Sequence, residues 1–102
     1  MSEARDAQAL TLALAGVDWY TIADKLKYAD AADACVGAMA VAEEQYDGPP
    51  VDPQRMLEVL RLNRLQSAVW KDAMAGDLKA VATALSIGDR RTRHLRPRRD
   101  QE

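Results

Sequence analysis

Between residues 47 and 53 the chain reads Asp47-Gly48-Pro49-Pro50-Val51-Asp52-Pro53, and no helix can run through it. Proline lacks an amide hydrogen and restricts the residue before it, so a helix arriving from the N-terminal side has to stop here. Asp52-Pro53 is in turn a strong helix start, a carboxylate cap followed by a proline whose missing donor does no harm in the first turn. The break separates residues 1–46 from a C-terminal part that begins at residue 53, with 47–52 as the linker.

On the N-terminal side, apolar residues recur at helical spacing in three stretches. Ala7, Leu10, Thr11 and Leu14 predict a first helix over residues 3–15, with Gly16 offering a left-handed exit. Asp18 can cap a second helix from about Trp19 to Leu26 whose inner face is Ile22, Ala23 and Leu26. Asp30 can cap a third, reaching about Gln45, that buries Ala32, Cys35, Val36, Met39 and Ala40 and exposes Asp33, Gly37 and Glu44. Gly37 weakens that helix by about 1 kcal/mol relative to Ala.

Beyond the linker a long helix runs to about Ala75, with Gly76 as its stop. It carries two apolar stripes, Met56, Leu60, Trp70 and Met74 on one and Val59, Leu62, Val69 and Ala73 on the other. A lone helical pair covers only one stripe, so the other predicts self-association through Val59, Leu62 and Val69, with Trp70 of the first stripe as a further interface candidate. Asp77 caps a fifth helix with Leu78, Val81, Ala82 and Leu85 facing inward, and Ser86-Ile87-Gly88 loosens the pattern. Residues 89–102 then form a basic tail, with Arg90, Arg91, Arg93, Arg96, Arg98 and Arg99 grouped around His94. No strand-like alternation or internal repeat interrupts this all-α reading. It consists of a three-helix unit over 1–46, a helical hairpin over 53–88 and the tail.

A chain with 48% apolar residues, no Phe and abundant Ala closes one modest core, or two minimal ones if copies associate. Trp19 and Trp70 are therefore expected to carry much of the packing. The net charge of −2 conceals an uneven distribution: residues 1–60 hold 4 basic and 11 acidic residues, residues 61–102 hold 10 and 5. The halves are thus −7 and +5, an acidic body with a cationic end.

The same residues speak against several chemistries. Cys35 is the only cysteine and falls at an inward helical position, which suits a small buried hydrophobe, an intracellular protein and no internal disulfide. His94 stands alone inside the arginine run, no cluster has metal-ligand spacing, and no glycine-rich loop could hold a phosphate. No targeting segment or membrane span is read at either end. The expectation is a cytoplasmic, non-enzymatic protein without cofactor or metal.

The segment Trp19-Tyr20-Thr21-Ile22-Ala23-Asp24-Lys25-Leu26-Lys27-Tyr28-Ala29-Asp30 resembles the helix-turn-helix of terminase small subunit-like proteins of actinobacterial phages. A second resemblance to that family lies at Leu62-Asn63-Arg64-Leu65, at Trp70 through Gly76-Asp77-Leu78 to Val81, at Ile87 and at Arg90-Arg91-Thr92-Arg93-His94-Leu95. The resemblance implies a DNA-packaging adaptor that forms a homo-oligomer, binds DNA and recruits the large terminase subunit. Two departures stand out. Lys27 occupies the place of a glycine, and the first reading-helix positions are Ala31, Ala32 and Asp33, in a helix without any Lys or Arg. DNA affinity is accordingly expected to be weak and electrostatic, carried by the six tail arginines with Lys25 and Lys27 as minor phosphate contacts. Two rivals are a helix-turn-helix transcription regulator and a helical interaction module that does not bind DNA.

Overall fold

The computed structural model describes residues 3–96, which form five helices and no strand. They are α1 (Glu3–Leu14), α2 (Trp19–Leu26), α3 (Ala31–Gln45), α4 (Pro53–Met74) and α5 (Leu78–Leu95). The chain divides between Asp47 and Gly48 into two compact units. No helix among the described residues is long and apolar enough to cross a membrane.

The helix starts follow from local cap chemistry. Asp18, Asp30 and Asp52 each accept the backbone N–H of the third residue on, at 2.8, 2.8 and 2.9 Å, and Asp77 accepts those of Lys79 and Ala80. The Thr21 N–H and hydroxyl on the Asp18 carboxylate hold its pKa below the ordinary value. Three turns exit through the left-handed region, at Gly16, Lys27 and Gly76, with φ of 98°, 65° and 96°. In each the next residue's N–H reaches back five positions, from Val17 to Leu12, Tyr28 to Ala23 and Asp77 to Asp72, at 2.9 to 3.1 Å. Lys27 takes this conformation without a glycine's freedom, at a cost of about 1–2 kcal/mol. Its carbonyl is held in place by the Arg5 guanidinium at 3.1 Å.

In the N-terminal unit α1, α2 and α3 pack on one another around Leu10, Leu14 and Ile22. The buried line of α3 is Ala34, Ala38 and Ala42, one turn apart, and α1, which packs on α3, buries Ala9 and Ala13. This corrects the expected face: Ala32, Val36 and Ala40 point outward, Cys35 and Met39 are half-buried, and Ala7 and Thr11 of α1 are exposed. Gly37 is not on the outer face either. A Cβ there would lie 2.8 Å from Asp6 Cγ and 3.3 Å from the Tyr28 hydroxyl, so glycine is what lets α1 and α3 approach. Tyr28 donates to Asp6 at 2.6 Å with the Arg5 guanidinium 4.0 Å over its ring centroid. Burial, then the bond to the Asp6 carboxylate, pushes its pKa up to about 12.

In the C-terminal unit α4 and α5 form an antiparallel hairpin around Met56, Val59, Leu60 and Leu62 of α4 and Ile87 of α5, with Ala73 and Ala80 near the turn. Its register is marked by two bonds, Arg55 Nη2 to the Arg96 carbonyl at 3.0 Å and Arg91 Nε to Asn63 Oδ1 at 2.7 Å. Two expectations fail here. The helix does not loosen at Gly88, and residues 89–95 are its last two turns rather than a tail. Its inner face is also rotated, since Ala80 and Ile87 are buried while Leu78 and Leu85 are 82% and 68% exposed. Continuing the helix to Leu95 brings Arg91 onto Asn63, and the small Ala80 and Ala84 lie on the side turned to α4.

Candidate nucleic-acid interface

The helical extension decides where the arginines stand. Arg90 and Arg93 are exposed on the last turns of α5, and among the described residues neither has an ion-pair partner. Arg91 is half-buried and its guanidinium is engaged by Asn63, so it faces the hairpin more than solvent. Arg96 caps the helix with its side chain exposed, and Arg98 and Arg99 lie outside the described residues. Cations at this end also complement the negative end of the helix dipole, a structural role they fill whether or not a ligand binds.

The antiparallel register adds one cation that composition alone did not single out. Arg55, in the first turn of α4, places its guanidinium on the Arg96 carbonyl and so joins the arginine end of the hairpin. Its signal in the sequence was only the hairpin pairing, which sets the start of one helix against the end of the other. Arg61 is also on α4 but is engaged with Glu58. His94 is half-buried in the same stretch. The resulting surface has strong donors for phosphate oxygens, with Asp89 the single acid on α5.

Lys25 and Lys27 are exposed and belong to the N-terminal unit. Lys25 borders an open, largely apolar groove with Ala7, Gln8, Thr11, Leu12 and Leu26. The outward face of α3, the reading helix in the resemblance, carries Ala32, Asp33, Val36, Ala40, Glu43 and Glu44. Ala31 at its start is half-buried. A face without a cation and with three carboxylates repels phosphates rather than neutralising them.

The four positions expected to join copies divide as well. Val59 is 1% exposed and Leu62 is buried, so both belong to the hairpin's own core and are unavailable to a second copy. Neither α4 stripe is left over in the first half of the helix, since Met56 and Leu60 of one and Val59 and Leu62 of the other are all buried. Val69 is half-buried, and Trp70 is 47% exposed beside Asn63, Gln66 and Ser67 in an open groove. Trp70 and the half-buried Trp19 therefore do not anchor the packing as expected. The large apolar side chains at the hairpin turn, Trp70, Met74 and Leu78, face solvent instead.

No protein-family model, no curated protein and no solved structure matches this chain.

Proposed function

We propose that the chain is a non-enzymatic DNA-packaging adaptor of the terminase small subunit kind. In this reading it works as a homo-oligomer in the host cytoplasm, binds DNA electrostatically and recruits the large terminase subunit. The observation that carries the DNA part is the grouping of Arg90, Arg93 and Arg96 with Arg55 at one end of the hairpin. The reading helix offers no cation, so affinity comes from α5 and is blind to sequence.

Fluorescence anisotropy of labelled duplex DNA over a salt series tests this. Each phosphate contact contributes about −0.9 to the slope of log affinity against log salt, so Arg90→Ala with Arg93→Ala should flatten the slope by about 1.8. Lys25→Ala with Lys27→Ala should change it less. An unchanged slope in the arginine variant removes α5 as the DNA surface. Substitution is the right perturbation, because cutting after Gly88 would also remove the Arg91–Asn63 bond and two turns of packed helix.

The interaction-module alternative is favoured by one observation of its own, the acidic and apolar outer face of α3. A face of that composition suits a protein partner.

A further inference from the structure

Two exposed helix faces of this chain are complementary to each other. The outer face of α3 is a shallow apolar strip, Ala32, Val36 and Ala40 at one-turn spacing, flanked by Asp33, Glu43 and Glu44. Val36 is 69% exposed, although it is the largest apolar side chain on that strip. The outer face of α5 is the converse, with Leu78 and Leu85 projecting two turns apart and Arg93 and Arg96 beyond them.

We propose that the outer face of α3 docks on the outer face of α5 of a second copy. Leu85 of α5 fits as a knob on the shallow strip of α3, between the levels of Ala32 and Ala40. Laid parallel with Val36 opposite Leu85, the helices bring their charges to the same height. Glu43 and Glu44 stand seven and eight residues beyond Val36, and Arg93 stands eight beyond Leu85. At 1.5 Å per residue both separations are about 11–12 Å. Charge balance over the units agrees: residues 1–47 hold 9 acidic and 3 basic residues, residues 48–102 hold 7 and 11, giving −6 and +4. The contact joins unlike surfaces, so each copy keeps one face free for the next and the assembly grows head to tail until it closes. This deepens the oligomer in the proposed function and rests on that part only; it draws Arg93 and Arg96 into the contact and leaves Arg90, which lies off that face, as the α5 cation free for DNA in the assembled state. It does not require DNA.

The test is mass by light scattering or analytical ultracentrifugation on the full chain without DNA. One variant carries Glu43→Lys and Glu44→Lys, a second carries Arg93→Glu and Arg96→Glu, and circular dichroism checks that both stay helical. The wild-type chain should be heavier than its 11.2 kDa monomer in a concentration-dependent way. Each variant alone should associate about tenfold or more weakly, because like charges now face each other. An equimolar mixture should recover association, since the reversed α3 of one variant meets the reversed α5 of the other. Val36→Lys, a single change at an exposed site, should weaken association in the same way and serves where a double variant does not fold.

A wild-type chain that is monomeric at every concentration overturns the proposal. So does association that neither variant weakens, which would place the contact elsewhere. A mixture that stays dissociated, while all four reversals in one chain restore the wild-type state, would mean that the two faces meet within a single chain and overturns it too. Loss of DNA binding with intact self-association would count against the packaging role alone.

Discussion

Replacing Gly37 with alanine should destabilise the N-terminal unit, although alanine is the better helix former. Helix propensity alone predicts a gain of about 1 kcal/mol. Against it, the added methyl would sit 2.8 Å from Asp6 Cγ and 3.3 Å from the Tyr28 hydroxyl, and the carboxylate has to move. Moving it gives up the 2.6 Å bond from Tyr28, and a hydrogen bond to a charged group contributes about 1.5–3 kcal/mol. The net expectation is a loss of about 0.5–2 kcal/mol. Gly88→Ala in α5 is the control, since a Cβ there meets nothing within 4 Å and the gain of about 1 kcal/mol is unopposed. Urea unfolding followed by Trp19 fluorescence in a Trp70→Phe background reads the N-terminal unit, and the same experiment with the tryptophans exchanged reads the hairpin. Asp6→Ala removes the obstacle, so in that background Gly37→Ala should become stabilising. If Gly37→Ala raises the urea midpoint with Asp6 still in place, then α1 does not approach α3 through Gly37 and the account of that contact is wrong.

Lys27→Gly should stabilise the same unit by about 1 kcal/mol, because it relieves a left-handed lysine at φ 65°, and thermal unfolding measures the gain. A lower melting temperature would mean that the lysine side chain makes contacts that outweigh the backbone relief. The raised pKa of Tyr28 fixes the sign of an alkaline effect: its contribution is fully present below the unfolded value of about 10 and is lost as pH rises from there to about 12. Tyr28→Phe should therefore flatten the fall in stability over that window, and equal slopes in the two proteins would show that the phenol does not titrate as described.

The helices were legible in the sequence because their ends are local chemistry. Four aspartates cap four helices by bonds to residues two or three positions away, and Gly16 and Gly76 turn the chain where no side chain interferes. The faces were less legible. Reasoning from side-chain size puts Val36, Leu78 and Leu85 inside, whereas the packing puts Ala34, Ala38, Ala42 and Ala80 there, because helices rich in alanine gain more from close backbone approach than from large buried side chains. Which stripe wins is settled between helices, and periodicity within one helix carries no trace of it. The tail was misjudged for a similar reason: a change of composition at residue 89 resembles the end of order, yet arginine is a good helix former and Gly88 costs only about 1 kcal/mol. Of the candidate site, the arginine cluster was visible directly. Arg55 was not, because it lies more than 30 residues away along the chain.

That α5 runs on to Leu95 has a thermodynamic consequence. A disordered basic segment that folds on a polyanion gives a large negative heat-capacity change and a gain in helical ellipticity, and part of its binding energy is consumed in ordering the backbone. Arg90 and Arg93 instead stand on a helix already packed against α4 and tied to it through Arg91 and Asn63. Only their side chains have to be immobilised when an anion arrives. Calorimetric titration with a polyanion should accordingly show little change in heat capacity on binding, with a far-ultraviolet spectrum that stays the same from start to end point.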